Sequence, residues 1–594
     1  MIDLQKILSF SGFKKWGIKN LNEQYYLLII SFLVGGLAGL ASYFMKASAN
    51  LVKSNVLKIV GFEYFNLLFF IFPLIGIFIV ILIMRFGMKQ VFRHGIVTTL
   101  YAIAKEKSIM GIKTVFGPLI TAAITVAFGG SAGVEGPAVA SGSAVGSQIA
   151  QKFRLNQKHT SLMLACGATG AMAGSLNAPI TGLIFTLEVL MLDLTAYSVL
   201  PLLGASISGV LVAKIMFGGD YLINVRLIEG FEVADIPFFI LLGIITGLVS
   251  VYFNRSFWYI EKLFKKVRNY WYRFIIAGAV LGLMIFCIPA LYGEGYNTIN
   301  LILQGNYEQI FSHNPFFDST DSLWIFFLLL TGLVFFKVIA TSLTLVAGGV
   351  GGVVAPSLFT GATLGFTGAM ALNTFTGVEV NPVQFTLLGM SGVFAGILFA
   401  PLTAIFLIAE LTGGYTLMVP LMIVVIISYL MVRIYVKHSI YTRQLAERKQ
   451  LLTHNKDQVI LHYMNIQEIL ENDFIQIPPQ STLGEVVKAI QRSRRNIFPV
   501  VDSNQHLKGV VYMDHIRHII FNEKLYEKVR VEQLMNNVMT YIDIKDYMET
   551  VMEKFSSSQA WNLPVLDEGK YVGFLSRSAV YSKYRDIMVS FSDE

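Results

Sequence analysis

Gly129-Gly130-Ser131-Ala132-Gly133-Val134-Glu135-Gly136-Pro137 sets a single carboxylate among small residues between two apolar segments. The glycines permit close backbone approach, and Pro137, which has no N–H to lose, suits the first turn of a helix. The stretch therefore reads as a loop that opens a helix near Gly136. A helix N-terminus carries roughly half a positive charge and unpaired N–H donors, so it can hold an anion or the Glu135 carboxylate. The two would compete for the same amides.

The flanking sequence repeats. Gly129-Gly130, Gly133, Pro137, Gly142 and Gly146 recur as Gly348-Gly349, Gly352, Pro356, Gly361 and Gly365, at a constant offset of 219. A second register, offset by 222, matches Gly167, Gly170, Pro179 and Glu188 to Gly389, Gly392, Pro401 and Glu410. Paired segments broken by Gly, Pro and Asn are the mark of transporter halves that meet at a midplane site. At the decisive position the halves differ, because Glu135 corresponds to Val354. An ionisable residue at membrane depth is costly and is a functional candidate by default.

The 594-residue chain is 54% hydrophobic and 14% charged, which makes it a polytopic membrane protein rather than a soluble domain. Apolar runs at about 26–45, 65–84, 197–216, 237–252, 274–290, 323–346 and 417–436 are long enough, or nearly so, to span a bilayer. Segments 114–128, 138–150, 161–173, 179–192, 353–372, 383–399 and 401–411 are cut short, as discontinuous helices are. Residues 1–24 mix Lys with Phe, Trp and Leu and read as an interfacial helix on the inner face, without a cleavable signal pattern. The expected membrane domain covers 25–450. The net charge of +8 gathers in clusters such as Lys262/Lys265/Lys266/Arg268 and Arg433/Lys437/Arg443. The positive-inside tendency assigns these to the cytoplasm, and nucleic-acid binding is the weaker reading. Two cysteines, Cys166 and Cys287, make neither a disulfide framework nor a metal pair.

The remaining tail, 460–594, carries its own duplication. Phe498-Pro499-Val500-Val501-Asp502 followed by Gly509-Val510-Val511 is echoed by Leu563-Pro564-Val565-Leu566-Asp567 followed by Gly573-Phe574-Leu575. Helical stretches at Leu483–Ser493 and Tyr547–Ser556 precede the two strand pairs, giving a paired α/β regulatory module. His515 and His518 lie three apart without a third ligand, and a solvated face explains them better than a metal does.

Taken together, these motifs resemble the CLC family of chloride channels and proton-coupled chloride exchangers, and the tail resembles a pair of CBS domains (about 474–521 and 535–590). The matches are Gly133-Val134-Glu135-Gly136-Pro137, Asn177-Ala178-Pro179 with Glu188, Gly352-Val353-Val354-Ala355-Pro356, and Tyr441 after the last expected span. The resemblance implies an all-α membrane domain of two inverted repeats with broken helices, followed by a cytoplasmic CBS pair, assembled as a homodimer in a bacterial inner (plasma) membrane with both termini cytoplasmic. It implies chloride or a similar small anion as the ligand and no required cofactor. Glu135 would be the gate. Anion contacts would come from His94, Gly95, Ile96, Gly133, Val134, Gly136, Val353, Val354 and Tyr441. Proton-pathway candidates are Glu135 and Glu188, and Asp514 is the candidate ribose partner for an adenine nucleotide at the CBS pair.

Three positions depart from the family pattern. Arg93-His94-Gly95-Ile96-Val97 stands where the family carries a serine, and an imidazole N–H there can still donate. Val354 replaces a phenylalanine and shortens a pore-lining side chain. Val189, directly after Glu188, takes the place of the inner proton-transfer glutamate of coupled members and cannot carry a proton. Glu294, in Gly293-Glu294-Gly295-Tyr296, is another relay candidate that a polar loop at a helix end explains more plainly. The expectation is a channel-like or weakly proton-coupled anion pathway. The alternatives are a chloride/proton antiporter and a membrane-anchored nucleotide sensor without transport. No P-loop, GxSxG or HExxH motif supports an enzyme.

Overall fold

The computed structural model describes residues 22–60, 68–92, 95–191, 196–217, 223, 230–311, 323–447, 461 and 464–592. Most of the expected interfacial helix, residues 1–21, lies outside them, as do Arg93 and His94. The chain divides into two compact units, Met1–Leu451 and Leu452–Glu594.

In the first unit the helices fall into two matching series. The first comprises α1 (Glu23–Val60), α2 (Leu68–Leu82), α3 (Gly95–Lys105), α4 (Lys113–Ala127), α5 (Glu135–Phe153), α6 (Gln157–Leu176), α7 (Pro179–Val189) and α8 (Ala196–Phe217). The second comprises α9 (Ile236–Lys265), α10 (Tyr270–Cys287), α11 (Tyr296–Leu303), α12 (Leu323–Ala347), α13 (Val354–Phe375), α14 (Pro382–Leu398), α15 (Pro401–Leu411) and α16 (Met418–Tyr435). Among the described residues seven helices are long and apolar enough to cross a membrane, and they fall on the seven runs read from the sequence. The broken segments appear as α4 to α7 and α13 to α15. The short helices α3 and α11 had no counterpart in the sequence reading.

The repeated glycines have a packing cause as well as a loop cause. A Cβ at Gly142 would strike the Gly167 carbonyl on α6, and one at Gly361 would strike the Gly389 carbonyl on α14. Backbones touch at these crossings, as small-residue helix pairs in membranes do. The following turns match too. Asn177 ends α6 and Phe399 ends α14 in the left-handed conformation, at φ 55° and 60°. Asn tolerates this region readily, whereas Phe399 adopts it at a steric cost.

Reciprocal hydrogen bonds join the halves. Gly133 N–H donates to Gly352 O at 2.9 Å, and Gly352 N–H donates to Gly133 O at 2.7 Å. The Thr344 hydroxyl accepts from Ser131 N–H, and the Thr125 hydroxyl accepts from Val350 N–H, both at 3.0 Å. Each pair consists of positions related by the 219 offset, so a two-fold axis passes between them. The antiparallel bridge at Gly133 and Gly352 sets the equivalent segments running in opposite directions.

The second unit is built as two α/β repeats. Helix α17 (Leu483–Arg492) precedes the antiparallel pair β1 (Ile497–Val501) and β2 (Leu507–Tyr512). The second repeat begins with β3 (Ile542–Asp543) and α18 (Met548–Ser558), and continues through β4 (Asn562–Asp567) and β5 (Lys570–Ser576) to α19 (Arg577–Ser592). Strand β4 pairs parallel with β3 and antiparallel with β5. Phe474, Val501, Val510, Tyr571 and Phe574 form a core between the repeats. Beside it Arg495 bridges Glu471 at 2.6 Å and Asp473 at 2.8 Å while lying over the Phe474 ring. The guanidinium holds the Asp473 carboxyl below its ordinary range.

Candidate functional site

The N-termini of three helices meet around Glu135. Gly95, which opens α3, packs so tightly that a Cβ there would clash with the Gly136 carbonyl and the Cα of Pro137 on α5. A Cβ at Gly352, just ahead of α13, would lie 3.1 Å from the Gly136 nitrogen. Each helix start leaves backbone N–H groups without intrahelical partners, and each adds partial positive charge. Pro137 and Pro356 occupy the first turn of α5 and α13, where the missing N–H costs nothing.

Glu135 is fully buried. Its Oε1 accepts a hydrogen bond from the Tyr296 hydroxyl at 2.7 Å. Its Oε2 has no hydrogen-bond partner among the described residues and folds against the Gly133 backbone, where a Cβ would collide with it. Val354, its counterpart in the other half, is also fully buried and offers no charge. One half thus supplies a carboxylate and the other only amides.

Tyr441 approaches the same centre. It is 2% exposed, its hydroxyl has no partner among the described residues, and it lies within electrostatic reach of Glu135 and of the Val353 backbone. An orphan hydroxyl and an orphan carboxylate oxygen beside free helix-end amides form a polar centre that a small anion can complete.

Two of the expected anion contacts need correction. The Gly133 N–H is engaged by Gly352 O and cannot point at a ligand. The Val134 N–H donates to Glu294 Oε1 at 3.1 Å, so a carboxylate already holds it. Gly136, Gly95, Ile96, Val353 and Val354 keep their places at the three helix starts, while His94 lies outside the described residues. Glu294 does lie in the polar turn that leads into α11, as read from the sequence, but that reading missed the contact its side chain makes. Glu294 is only partly buried, but its carboxylate turns inward onto α5.

Glu188 caps a helix. Its Oε1 accepts from Leu402 N–H at 2.9 Å, and its Oε2 accepts from the Thr403 N–H and hydroxyl at 2.8 and 2.7 Å, at the start of α15. Glu410 does the same for α7, accepting from Ile180 N–H at 2.7 Å and from the Thr181 N–H and hydroxyl at 2.8 and 2.5 Å. Both oxygens of each carboxylate are occupied by a reciprocal structural task. Val189 is buried at 3% exposure.

Three lysines and two tyrosines complete the surroundings. Lys46, on α1, is buried, donates to the Ser175 carbonyl, lies 5.9 Å from the Tyr296 ring and interacts electrostatically with both Glu135 and Glu294. Lys337, on α12, donates to Gly293 O at 2.8 Å and Leu291 O at 3.3 Å, and rests on the Phe359 ring. It thereby pins the turn that presents Glu294 and Tyr296. Tyr292 donates to Ala127 O at 2.5 Å, with Lys53 over its ring. A lysine inside an apolar span is itself a sequence signal, because an unpaired ammonium there is costly. Tyr296 gave none.

In the tail, Asp514 is exposed and pairs with Arg517 at 3.2 Å. His515 bonds to Asn536 at 2.8 Å. No group of His, Cys, Asp and Glu among the described residues has the geometry of a metal site.

Comparison with known proteins agrees with this geometry. A family model described as voltage gated chloride channel matches residues 75–433, and a CBS domain model matches residues 466–522 and 531–586. The H+/Cl− exchange transporter ClcA of Vibrio cholerae is 31% identical over 300 residues, which is 49% of this chain and 60% of that relative. The chain thus spans less than two thirds of that relative's length. A slow cyanobacterial Cl−/H+ antiporter superposes with a TM-score of 0.61 at 20% identity, covering 73% of this chain and 99% of the other. A eukaryotic CLC transporter superposes with a TM-score of 0.58 at 16% identity, covering 94% of this chain and 99% of the other. The family match runs through both halves, from α2 into α16, and this integral membrane protein belongs to the voltage-gated chloride channel family.

Proposed function

We propose that the protein moves chloride, or a similar small anion, through a pathway that Glu135 gates, in a channel-like or weakly proton-coupled manner. The observation that carries this reading is the fully buried Glu135 carboxylate at the meeting of three helix N-termini, with one oxygen on Tyr296 and the other unpartnered. Charged Glu135 is a tethered anion that competes for amides; once protonated it gives them up, and a free anion takes its place. Gly95, Ile96, Gly136, Val353, Val354 and Tyr441 would contact that anion, with His94 as a further donor.

Weak coupling is supported by apolar Val189 and by the capping bonds that occupy both oxygens of Glu188. A chloride/proton antiporter is the second reading, favoured by the name of the Vibrio relative. The protein would work as a homodimer in a bacterial inner membrane with both termini cytoplasmic. The exposed apolar stripe Leu203, Ile207, Leu211 and Ile215 of α8 is a candidate subunit face.

Chloride release and proton movement recorded together from proteoliposomes test the reading. We expect chloride release that quickens in acid with little accompanying proton flow. Release indistinguishable from protein-free vesicles would leave the nucleotide sensor, and proton flow at a fixed ratio would establish the antiporter. For the tail, an adenine nucleotide in the cleft between its repeats, with Asp514 on the ribose, is the proposed ligand. Calorimetry should show heat with ATP, ADP or AMP, and its absence at millimolar concentration would remove the nucleotide.

A further inference from the structure

A gate of one carboxylate and a set of helix-end amides leaves Glu294 without a task, yet its Oε1 holds the Val134 N–H at 3.1 Å, one residue before Glu135. We propose that Glu294 is a positioning residue for the gate, a second carboxylate on the same helix end which, balanced by Lys46, sets how readily Glu135 takes up the proton that releases it. The proposal rests on the reading of Glu135 as the gate.

Three observations converge on this role. Glu294 and Tyr296 belong to one short segment, and that segment touches α5 twice, through Glu294 to Val134 N–H and through the Tyr296 hydroxyl to Glu135 Oε1. Lys337 fixes the segment by its bonds to the carbonyls of Leu291 and Gly293, so the two contacts are delivered together. Lys46 interacts with both carboxylates and is anchored on Ser175 O. Among the described residues, the titratable and charged groups that interact with Glu135 are Lys46 from α1, Glu294 and Tyr296 from the segment leading into α11, and Tyr441 after α16, while Lys53 of α1 and Lys337 of α12 interact with Glu294. Arg93 and His94 precede α3 outside the described residues.

The physics gives the two partners opposite signs. A negative charge beside Glu135 makes its neutral, protonated form easier to reach and repels an arriving anion. A positive charge does the reverse. Glutamine at 294 keeps an oxygen for the Val134 N–H and removes only the charge.

The test is the pH profile of chloride efflux from proteoliposomes for the parent, Glu294→Gln, Lys46→Met and Glu135→Gln. Removing one unit charge several ångströms away at an effective dielectric near 20 moves the midpoint by about two pH units. Glu294→Gln should shift acid activation to lower pH and strengthen the apparent chloride affinity. Lys46→Met should shift it to higher pH and weaken that affinity. A Glu294→Gln protein with the parental midpoint overturns the proposal, as do shifts of the two variants in the same direction. If Lys46→Met does not yield folded protein, Glu294→Gln decides alone. Failure of the underlying reading looks different: Glu135→Gln would itself retain a pH-dependent profile.

Discussion

Glu135→Gln is expected to carry chloride at neutral pH as fast as the parent does in acid, with no remaining response to pH. Glutamine keeps an oxygen to accept the 2.7 Å bond from Tyr296 but has no charge with which to compete for the helix-end amides. A unit negative charge about 4 Å from an anion costs it about 4 kcal/mol at an effective dielectric near 20, on the order of several hundredfold in occupancy. Because Oε2 has no partner among the described residues, the substitution breaks no hydrogen bond there, and the fold should be preserved. Efflux recorded across a range of pH checks the expectation; a Glu135→Gln protein that still quickens in acid would place the gate at another residue.

Glu188→Ala and Glu410→Ala should each destabilise the membrane unit strongly, and to similar extents. Each carboxylate accepts two backbone N–H bonds and one hydroxyl bond at the start of a helix in the opposite half. Hydrogen bonds to a charged group contribute about 1.5–3 kcal/mol apiece, and the deserted N–H groups would sit in an apolar setting. A loss of about 3 kcal/mol or more is expected for either substitution. Thr403→Val, which removes one bond of the three, should cost about 1 kcal/mol. Thermal unfolding of the purified protein in detergent gives the comparison. If Glu188→Ala kept the parental melting temperature but altered proton movement, the capping role would give way to a place on a proton path.

The pairing of Glu188 with Glu410 was already visible in the sequence, but its meaning was not, since Glu188 stood there as a proton-pathway candidate and the structure shows it capping a helix of the other half. A carboxylate repeated at equivalent positions points to a symmetric structural role, whereas Glu135, matched by Val354, breaks the symmetry as a working group does. The two registers of glycine and proline placed the halves and the broken helices, because close backbone crossings and helix starts constrain residue type strongly. Thr125 and Thr344 obey the same 219 offset and reciprocally hold Val350 and Ser131, but threonine in an apolar run carries no pattern of its own. Tyr296 was illegible for a different reason. It meets Glu135 across 161 residues of chain, and nothing local distinguishes it from other tyrosines in apolar surroundings. Lys46 and Lys337 could have been singled out as charges inside spans, although only the fold shows that they converge on the turn beside the gate. The Glu294 side chain turns inward because Lys337 ties down the carbonyls preceding it, a long-range effect that local composition cannot reveal.

The most direct test of the whole account is the zero-current potential of the reconstituted protein under separately imposed chloride, cation and pH gradients. The potential should follow the chloride gradient, with a pH gradient altering the size of the current and barely moving the potential. A potential that tracks pH at a fixed stoichiometry, or one that follows the cation gradient, would contradict it.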